Sequence, residues 1–459
     1  MQSQFTITEY LNSVKGAISS NTLDVVLSVN PSAVTSSFIP KLQISLQSLD
    51  DKDIMKQIEN AHFFNNDWIS FENLVQRYLI FVRDFNPWSL LESIDLLIGF
   101  YESLGIALNN SQFNSMLLTL VTKSTKVLIP LTQLVDEKLM NKNNRTNDYP
   151  RLSYLSTLLL KILNNLRNDQ ELNTQANKYK ISVLMYSSIS LCNTYVKIGS
   201  PMLCNNVFSN INILSLNKNL ISRKQLVQYR FVLGRFNMQQ SNFYQAYIHF
   251  NWCFSNCHYN TSPQMIATIC KYLIPCGLVV GQVVDLNYLR QKFGNYEPGL
   301  ELVRLHEQLI RYYANGDLFH FTEVVEANED HFIHLGILIG FLQRVRILVI
   351  RNLLNKVFKK TGTLKFNTIK VALELSLNLS QAYAKYGQSG RWLYLIGEEQ
   401  QVTEELIQNI LVVLFDGSLV KAKVTASSNI VLSKTDAFPN VRKLYNLKYP
   451  TNSKESWLN

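Results

Sequence analysis

The sequence predicts a mainly α-helical protein in which stacked helical hairpins, similar to a tetratricopeptide superhelix, end in a C-terminal winged helix. Two observations predict this fold. Over most of residues 5–358, apolar residues recur at spacings of three and four, which is the period of an amphipathic helix, and strand-like alternation is scarce. Residues 419–432 instead show short apolar runs on either side of a turn-rich stretch at 426–429, which is the pattern of a two-stranded ribbon.

Composition and charge narrow the class of protein. The chain has 459 residues, of which 47% are hydrophobic, enough for a continuous core. Lys and Arg outnumber Asp and Glu by 44 to 34, and this net charge of +10 indicates an anionic partner. Residues 351–459 alone hold 15 basic and 8 acidic side chains, a net charge of +7.

Cysteine usage and the N-terminus indicate a soluble intracellular protein. The six cysteines are scattered through helical stretches, and we expect them to be reduced core thiols. The N-terminus lacks a basic segment followed by an apolar one, and no stretch reaches the roughly 18 apolar residues of a membrane span. A short basic nuclear-import tract is also absent. We therefore expect no membrane insertion.

The N-terminal elements follow from helical periodicity and helix breakers. Helices are predicted over residues 71–82 and 90–104, with a break at Asn86 because a residue that precedes proline disfavours the helical conformation. Residues 140–150 form the most polar connection. Two further helices are predicted over residues 152–166 and 180–196.

A helical hairpin is predicted over residues 226–250. Its small and apolar residues match the markers of a tetratricopeptide repeat, in which small residues let two helices approach closely. These residues are Leu233, Gly234, Ala246 and Phe250. Arg230 and Asn237 replace the usual Trp and Tyr, so the repeat is degenerate and we expect a stack of helix pairs instead of a regular array.

Helices over residues 305–314 and 319–327 precede long helical segments at 332–358. In this last stretch Arg344, Arg351 and Asn355 are predicted to turn away from one continuous apolar stripe. The stripe consists of Leu338, Leu342, Val345, Val349, Leu353 and Val357. No Gly, Pro or Ser linker follows, so we expect a rigid joint to the winged helix.

The winged helix begins with a short segment at 363–366 and helices at 367–377 and 404–415. Strands at 419–425 and 430–432 follow, with Val420, Ala422 and Val424 on the buried face and Lys421, Lys423 and Thr425 exposed. The predicted domains are an N-terminal helical region at 1–215, a second helical part at 216–350, the winged helix at 351–435 and a basic tail at 436–459.

Several motifs narrow the family. A helical stack that leads directly into a winged helix resembles the PCI family, found in the proteasome lid, the signalosome and translation initiation factor three. Within it, the sequence is similar to the branch that contains the PCI subunit of the transcription-and-export (TREX-two) mRNA export complex, over most of residues 70–440. The shared motifs are at 82–88, 199–208, 229–236, 272–275, 313–317, 351–353, 431–434 and 438–439.

This resemblance implies a non-enzymatic subunit of a nuclear mRNA export complex, on the nucleoplasmic side of the nuclear pore. It also implies pairing with a large Sac/GANP-type scaffold subunit and a small acidic Sem/DSS-type subunit. Two winged helices would then form a composite basic surface for nucleic acid. The segment at 378–400 departs from the pattern because it lengthens the gap between two winged-helix helices. The alternative is a PCI subunit associated with the COP-nine signalosome or the spliceosome, which acts mainly as an assembly scaffold.

The candidate nucleic-acid-binding residues are cations on and around the wing. We expect shape-blind, salt-dependent contact with the phosphate backbone of RNA or DNA. They are Lys359, Lys360, Lys365, Lys370, Lys421, Lys423, Lys434, Arg442 and Lys443, and Lys448 follows in the tail. The helix at 404–415 begins with two acids and offers only Gln408 and Asn409 as base readers, which disfavours a DNA-binding transcription factor.

Partner contacts are predicted on aromatic and basic surfaces. The scaffold subunit is predicted to contact Phe366, Trp392, Tyr394 and the ribbon, since these surfaces would otherwise be exposed to water. The small acidic subunit is predicted near Arg344 and Arg346. Arg304 and Arg311 complete the same basic surface.

No catalytic or metal site is predicted. His249, Cys253 and Cys257 follow one helical stripe, but a structural zinc site needs ligands from a second segment, so we interpret them as core residues. His331 and His334 lack the acidic partners of a metalloprotease. Phosphate-binding loops and nucleophile elbows are absent. We therefore expect no enzyme activity, cofactor or small-molecule substrate.

Overall fold

α-Helices make up most of the protein, which confirms the predicted fold class. The computed structural model describes residues 6–30, 39–143, 149–168, 174–258, 261–386, 401–424, 429–448 and 455–458. The chain divides into two compact units, Met1–Tyr229 with Lys454–Asn459, and Arg230–Ser453. The finer division into four regions stays a prediction. None of the described helices is long and apolar enough to cross a membrane.

The first unit consists of helices that pack on their neighbours in the sequence, most extensively α5 on α6 and α8 on α9. They are α1 (Ile7–Ser20), α2 (Leu23–Val26), α3 (Ile39–Leu46), α4 (Asp51–Glu59), α5 (Ile69–Asp84), α6 (Leu90–Ala107), α7 (Leu118–Asn143), α8 (Pro150–Arg167), α9 (Lys178–Lys197) and α10 (Cys204–Ile213). Helix α11 (Arg223–Gln239) comes next. The four helices predicted in this region and the break before Pro87 are confirmed.

The second unit continues with α12 (Phe243–Asn256), α13 (Pro263–Val279), α14 (Leu286–Phe293), α15 (Glu297–Asn315), α16 (Leu318–Ala327), α17 (Glu329–His334) and α18 (Leu338–Thr361). The hairpin of close-packed helices is confirmed. A Cβ atom added at Gly234 would lie 2.8 Å from the ring of Phe250, so only glycine permits this approach. Arg230 is buried and its guanidinium lies 4.3 Å from the ring centre of Trp252.

Residues 332–358 form two helical segments, because Gly336 between α17 and α18 adopts a left-handed conformation with φ 71°, and the predicted stripe from Leu338 to Val357 lies wholly on α18. The prediction for this stretch is wrong in one respect. Arg351, expected to turn away, is buried because α18 is covered by α13, α15, α19 and α21 and therefore has no single exposed face at this level.

The winged helix comprises β1 (Leu364–Lys365), α19 (Phe366–Leu377), α20 (Leu379–Tyr386), α21 (Glu404–Asp416), β2 (Ala422–Val424) and β3 (Asn429–Leu432). The strands form an antiparallel sheet in the order β1-β3-β2. Val424 was predicted to face the core but is 51% exposed, because β2 is an edge strand, whereas its partner Ile430 on the central strand β3 is buried. The predicted turn at 426–429 lies largely outside the described residues.

The basic tail also has structure. Helix α22 (Val441–Lys448) packs on the second unit: Val441 lies against Gly281, and the ring of Tyr445 stacks on Tyr244 at 5.8 Å. In the first unit, Trp457 donates a hydrogen bond from its indole nitrogen to Asn212 Oδ1 at 2.8 Å. The sequence offered no periodic signal for either contact.

The turn between α15 and α16 is a closely packed junction in the second unit. Gly316 ends α15 in a left-handed conformation, and a Cβ atom there would lie 2.6 Å from the Cα atom of Leu353 on α18. The Ser376 hydroxyl donates to the carbonyl of Gly316 at 2.6 Å and accepts from the amide of Leu318 at 3.0 Å. This turn therefore fixes α15 and α16 to both α18 and α19.

We expect Gly316→Ala to destabilise the protein strongly. The left-handed backbone alone costs about 1–2 kcal/mol for an L side chain, and the overlap with Leu353 adds about 1–3 kcal/mol. Gly362→Ala is the matched control, since Gly362 has φ 73° at the end of α18 with no atom within 4 Å of an added Cβ. Equal losses of unfolding free energy in the two variants, measured by urea denaturation, would show that the close approach is unimportant.

Candidate nucleic-acid and partner interface

The wing is fixed to α18 by a buried arginine. Arg351, which is 8% exposed, donates from Nε to the carbonyl of Leu419 at 3.1 Å and from Nη2 to the carbonyl of Pro439 at 2.7 Å. Its guanidinium lies 5.8 Å from the ring centre of Phe438. Leu419 precedes β2 and Pro439 follows β3, so one side chain holds both ends of the ribbon. Burial lowers the pKa of Arg351 from its ordinary value.

The neighbouring Asn352 extends this link to the helical stack. Arg351 Nη1 donates to Asn352 Oδ1 at 3.2 Å, and Asn352 Nδ2 donates to the carbonyl of Tyr313 at 3.1 Å, beside the Gly316 turn. Wing and stack are thus joined through hydrogen bonds that are buried or partly buried. Sequence periodicity missed this role because it predicted that Arg351 faces solvent. The only sequence signal for it is that Arg351 belongs to the shared motif at 351–353.

Three of the predicted lysines share the outer face of the sheet. Lys365 pairs with Asn429 and Lys423 pairs with Val431 across the antiparallel strands, and paired residues lie on one face. Lys421 is two residues before Lys423 and therefore lies on the same face. All three lysines are exposed, and Val431 between them is 56% exposed. We call Lys365, Lys421, Lys423 and Val431 the basic sheet face.

The other predicted cations lie around this module. Lys359 and Lys360 are exposed in the last turn of α18, where the helix dipole favours positive charge. Lys370 on α19 is half-buried, and Lys434 is exposed after β3. Arg442 and Lys443 are exposed on α22. Arg442 also donates from Nη1 to Gln282 Oε1 at 3.4 Å.

Helix α21 begins with two exposed acidic residues, as its sequence predicts. Thr403 caps it by accepting from the amide of Leu406 at 3.2 Å, and Glu404 and Glu405 occupy its exposed first turn. Two carboxylates at the N-terminus of a helix interact favourably with the helix dipole, and they repel phosphate. Gln408 and Asn409 are exposed in the next turn.

The structure changes the prediction for partner-binding residues. Phe366 is 6% exposed and packs in the core, so it offers no open surface to a scaffold. Trp392 and Tyr394 lie outside the described residues. Arg346 is also buried, and burial lowers its pKa to about 10 against the opposing charge of Glu326. Both Phe366 and Arg346 are therefore core residues because α18 and α19 are covered on several sides.

Arg344 does reach the surface, at a groove between α18, α21 and α22. The groove has a volume of about 470 Å³. Its walls include Arg344, Ile347, Val413, Asp416, Tyr445 and Lys448. Lys448 also donates from Nζ to the carbonyl of Gly417 at 3.3 Å. Elsewhere, Arg304 forms an exposed ion pair with Glu297, and Arg311 is exposed.

Five of the cysteines, and His249 beside Cys253, are core groups in this structure. All six cysteines are free thiols; five are buried and Cys257 is partly buried. Burial lowers the pKa of His249 to about 3 and raises that of Cys253 to about 12. Within the described ranges, no three His, Cys, Asp or Glu side chains are grouped so as to hold a metal ion.

The chain is similar over most of its length to known proteins. It is 26% identical over 439 residues to the nuclear mRNA export protein THP1 of Saccharomyces cerevisiae, covering 91% of this chain and 93% of the relative. A PCI domain-containing protein of Schizosaccharomyces pombe is 23% identical over 449 residues, covering 93% and 92%. PCI domain-containing protein 2 of Xenopus laevis is 27% identical over 182 residues, covering 39% and 43%. No protein-family model matches. The resemblance to PCI-domain proteins is thus confirmed.

We expect Arg351→Met to destabilise the second unit by about 2–4 kcal/mol, because it leaves the carbonyls of Leu419 and Pro439 without their buried donor. Arg344→Met is the control: it makes the same change on the same helix at an exposed position, where we expect a change within about 0.5 kcal/mol. Guanidinium denaturation measures both. A similar small effect in the two variants would contradict the role of Arg351 as the anchor of the wing.

Proposed function

We propose that this chain is a non-enzymatic subunit of a nuclear mRNA export complex that couples transcription to export at the nuclear pore. The supporting observation is its similarity, along nine tenths of both chains, to a nuclear mRNA export protein. In this role the protein places a winged helix on a rigid helical stack and presents it to a scaffold subunit and to nucleic acid. Its work is binding and positioning, and we assign no catalytic step to it.

The basic sheet face is the proposed contact for RNA. Lys365, Lys421 and Lys423 project from one face, and this arrangement suits a phosphate backbone that passes across the sheet. Lys434 and the cations of α22 follow in the chain and extend the basic character of the module. Because α21 begins with two acids, we infer backbone contact without base reading, for RNA and for DNA alike.

The scaffold subunit is proposed to pair with exposed apolar side chains of the winged helix. Val371 and Leu375 lie one turn apart on α19 and are both exposed, as is Val412 on α21. Exposed apolar side chains on helices of a small module are candidates for burial in an interface. Such a contact replaces the predicted role of the buried Phe366, whereas Trp392 and Tyr394 stay candidates.

A small acidic subunit is proposed to bind the groove at Arg344. Arg344 and Lys448 supply two cations, while Ile347 and Val413 supply apolar surface between helices. A segment that mixes carboxylates with apolar side chains matches this lining. Asp416 at the same groove would select against a purely acidic stretch and would favour a defined register.

We expect the double variant Lys421→Glu, Lys423→Glu to bind single-stranded RNA about tenfold more weakly and with a shallower salt dependence, by about 1–2 in the slope of log K against log salt. The reason is that each phosphate contact releases counterions when RNA binds, so a variant with fewer contacts releases fewer counterions. Fluorescence anisotropy with labelled oligouridine measures both quantities, on the chain alone and on the complex recovered with it from cells.

The control is Lys161→Glu, Lys178→Glu, which makes the same charge change at two exposed positions of the first unit. Unchanged binding by the wing variant, or equal weakening in both variants, would remove the basic sheet face as the contact. Failure of the native chain and of its complex to bind RNA would instead favour a PCI subunit that acts in protein assembly at the signalosome or spliceosome.

A further inference from the structure

Trp88, in the turn between α5 and α6, is the most exposed large apolar side chain of the described residues. It is 95% exposed, whereas Trp68 is buried and Trp252 and Trp457 are partly buried. Pro87 and Leu91 beside it are also exposed. Tryptophan is among the side chains that contribute most when buried in an interface. The winged helix and its proposed partners make no use of this turn.

The turn that carries Trp88 is held rigidly. The Trp88 amide donates to Asn86 Oδ1 at 3.0 Å, and Asn86 Nδ2 donates to Glu92 Oε2 at 2.9 Å. The buried hydroxyl of Ser93 accepts from the Asn86 amide at 3.1 Å and donates to the Asn86 carbonyl at 3.0 Å. From α3, Gln43 donates to the carbonyl of Phe85 at 2.9 Å. A side chain presented by a fixed turn loses little entropy when a partner binds it.

The N-terminal part of the sequence, which contains Trp88, is acidic, in contrast to the chain as a whole. Residues 1–100 contain 6 basic and 11 acidic side chains, a net charge of −5, while the remaining residues carry a net charge of +15. Glu92 lies directly beside the turn through its hydrogen bond to Asn86. Arg83 is shared between Asp84 and Asp51, with N–O distances of 2.8 and 2.7 Å, so its positive charge is neutralised by two carboxylates.

We propose that the Trp88 turn is a docking site for a basic, arginine- or lysine-rich segment of a protein partner. A guanidinium or ammonium group stacks on the indole face, which is the strongest aromatic acceptor for a cation. The carboxylate of Glu92, which lies beside the turn through its hydrogen bond to Asn86, attracts a further basic side chain of the same segment. This site lies in the first unit and does not depend on the proposed contact of the basic sheet face.

A nucleic-acid base could also stack on an exposed indole. The surrounding carboxylates disfavour this, because phosphates would approach a surface of like charge. A cationic peptide has the opposite preference: most of the chain, with its net charge of +15 after residue 100, repels it, and the N-terminal region attracts it. The sign of the local charge therefore selects the protein partner over RNA.

The test is binding of a labelled oligo-arginine peptide to the full chain, measured by fluorescence anisotropy at low salt. We expect Trp88→Ala to weaken the affinity at least tenfold, Trp88→Phe to weaken it less, and Glu92→Gln to weaken it several-fold. Ile69→Ala is the control, since Ile69 is 64% exposed in the same unit outside this turn. Circular dichroism establishes that each variant is folded, as an exposed side chain predicts.

Three results would overturn the proposal. They are the absence of measurable peptide binding to the native chain, an affinity of Trp88→Ala within twofold of the native value, and equal weakening by Ile69→Ala. Labelled oligouridine is the second probe. Loss of RNA binding in Trp88→Ala, with peptide binding retained, would assign the turn to nucleic acid and would also overturn the proposal.

Discussion

The buried guanidinium of Arg351 is the interaction on which the C-terminal module depends. A buried cation is costly unless its donors are used, and here they meet the carbonyls of Leu419 and Pro439 and the side chain of Asn352. These acceptors come from the start of the ribbon, from its end and from the helix itself. One residue thus converts a short ribbon, which would be marginal on its own, into a fixed part of the helical stack.

Fixing the ribbon also fixes where its charges lie. Lys421 is two residues from Leu419, and the register of β2 against β3 then determines the position of Lys423. The Gly316 turn also stabilises this module, because it contacts α18 at Leu353 and α19 through the hydrogen bond from Ser376. The backbone positions from which the lysines of the basic sheet face project are therefore fixed, so the proposed contact with a phosphate backbone would cost less backbone entropy than a contact made by lysines on a loop.

Sequence periodicity predicted the helices well and the interface only partly. Helices such as α5 and α8 have long apolar repeats and sharp breakers, and these act locally. Lys421 and Lys423 were correctly placed on one exposed face because strand alternation is also local. Phe366, Arg346 and Arg351 were misjudged because their burial depends on helices distant in sequence. The docking of α22 on Gly281 likewise depends on a contact across 160 residues, which no local pattern encodes.

Acidic residues are concentrated at the N-terminal end of the chain and basic residues in the rest, and this affects where charged partners bind. At physiological salt, exposed charges act over about 8 Å, so each surface presents its local charge and not the net +10 of the whole protein. The cations of the basic sheet face lie in a region of net positive charge, and Trp88 lies in a region of net negative charge. Under the two proposals, a polyanion and a basic protein segment would bind to different units of one chain. Neither ligand would have an electrostatic reason to occupy the other site, so the two would not compete.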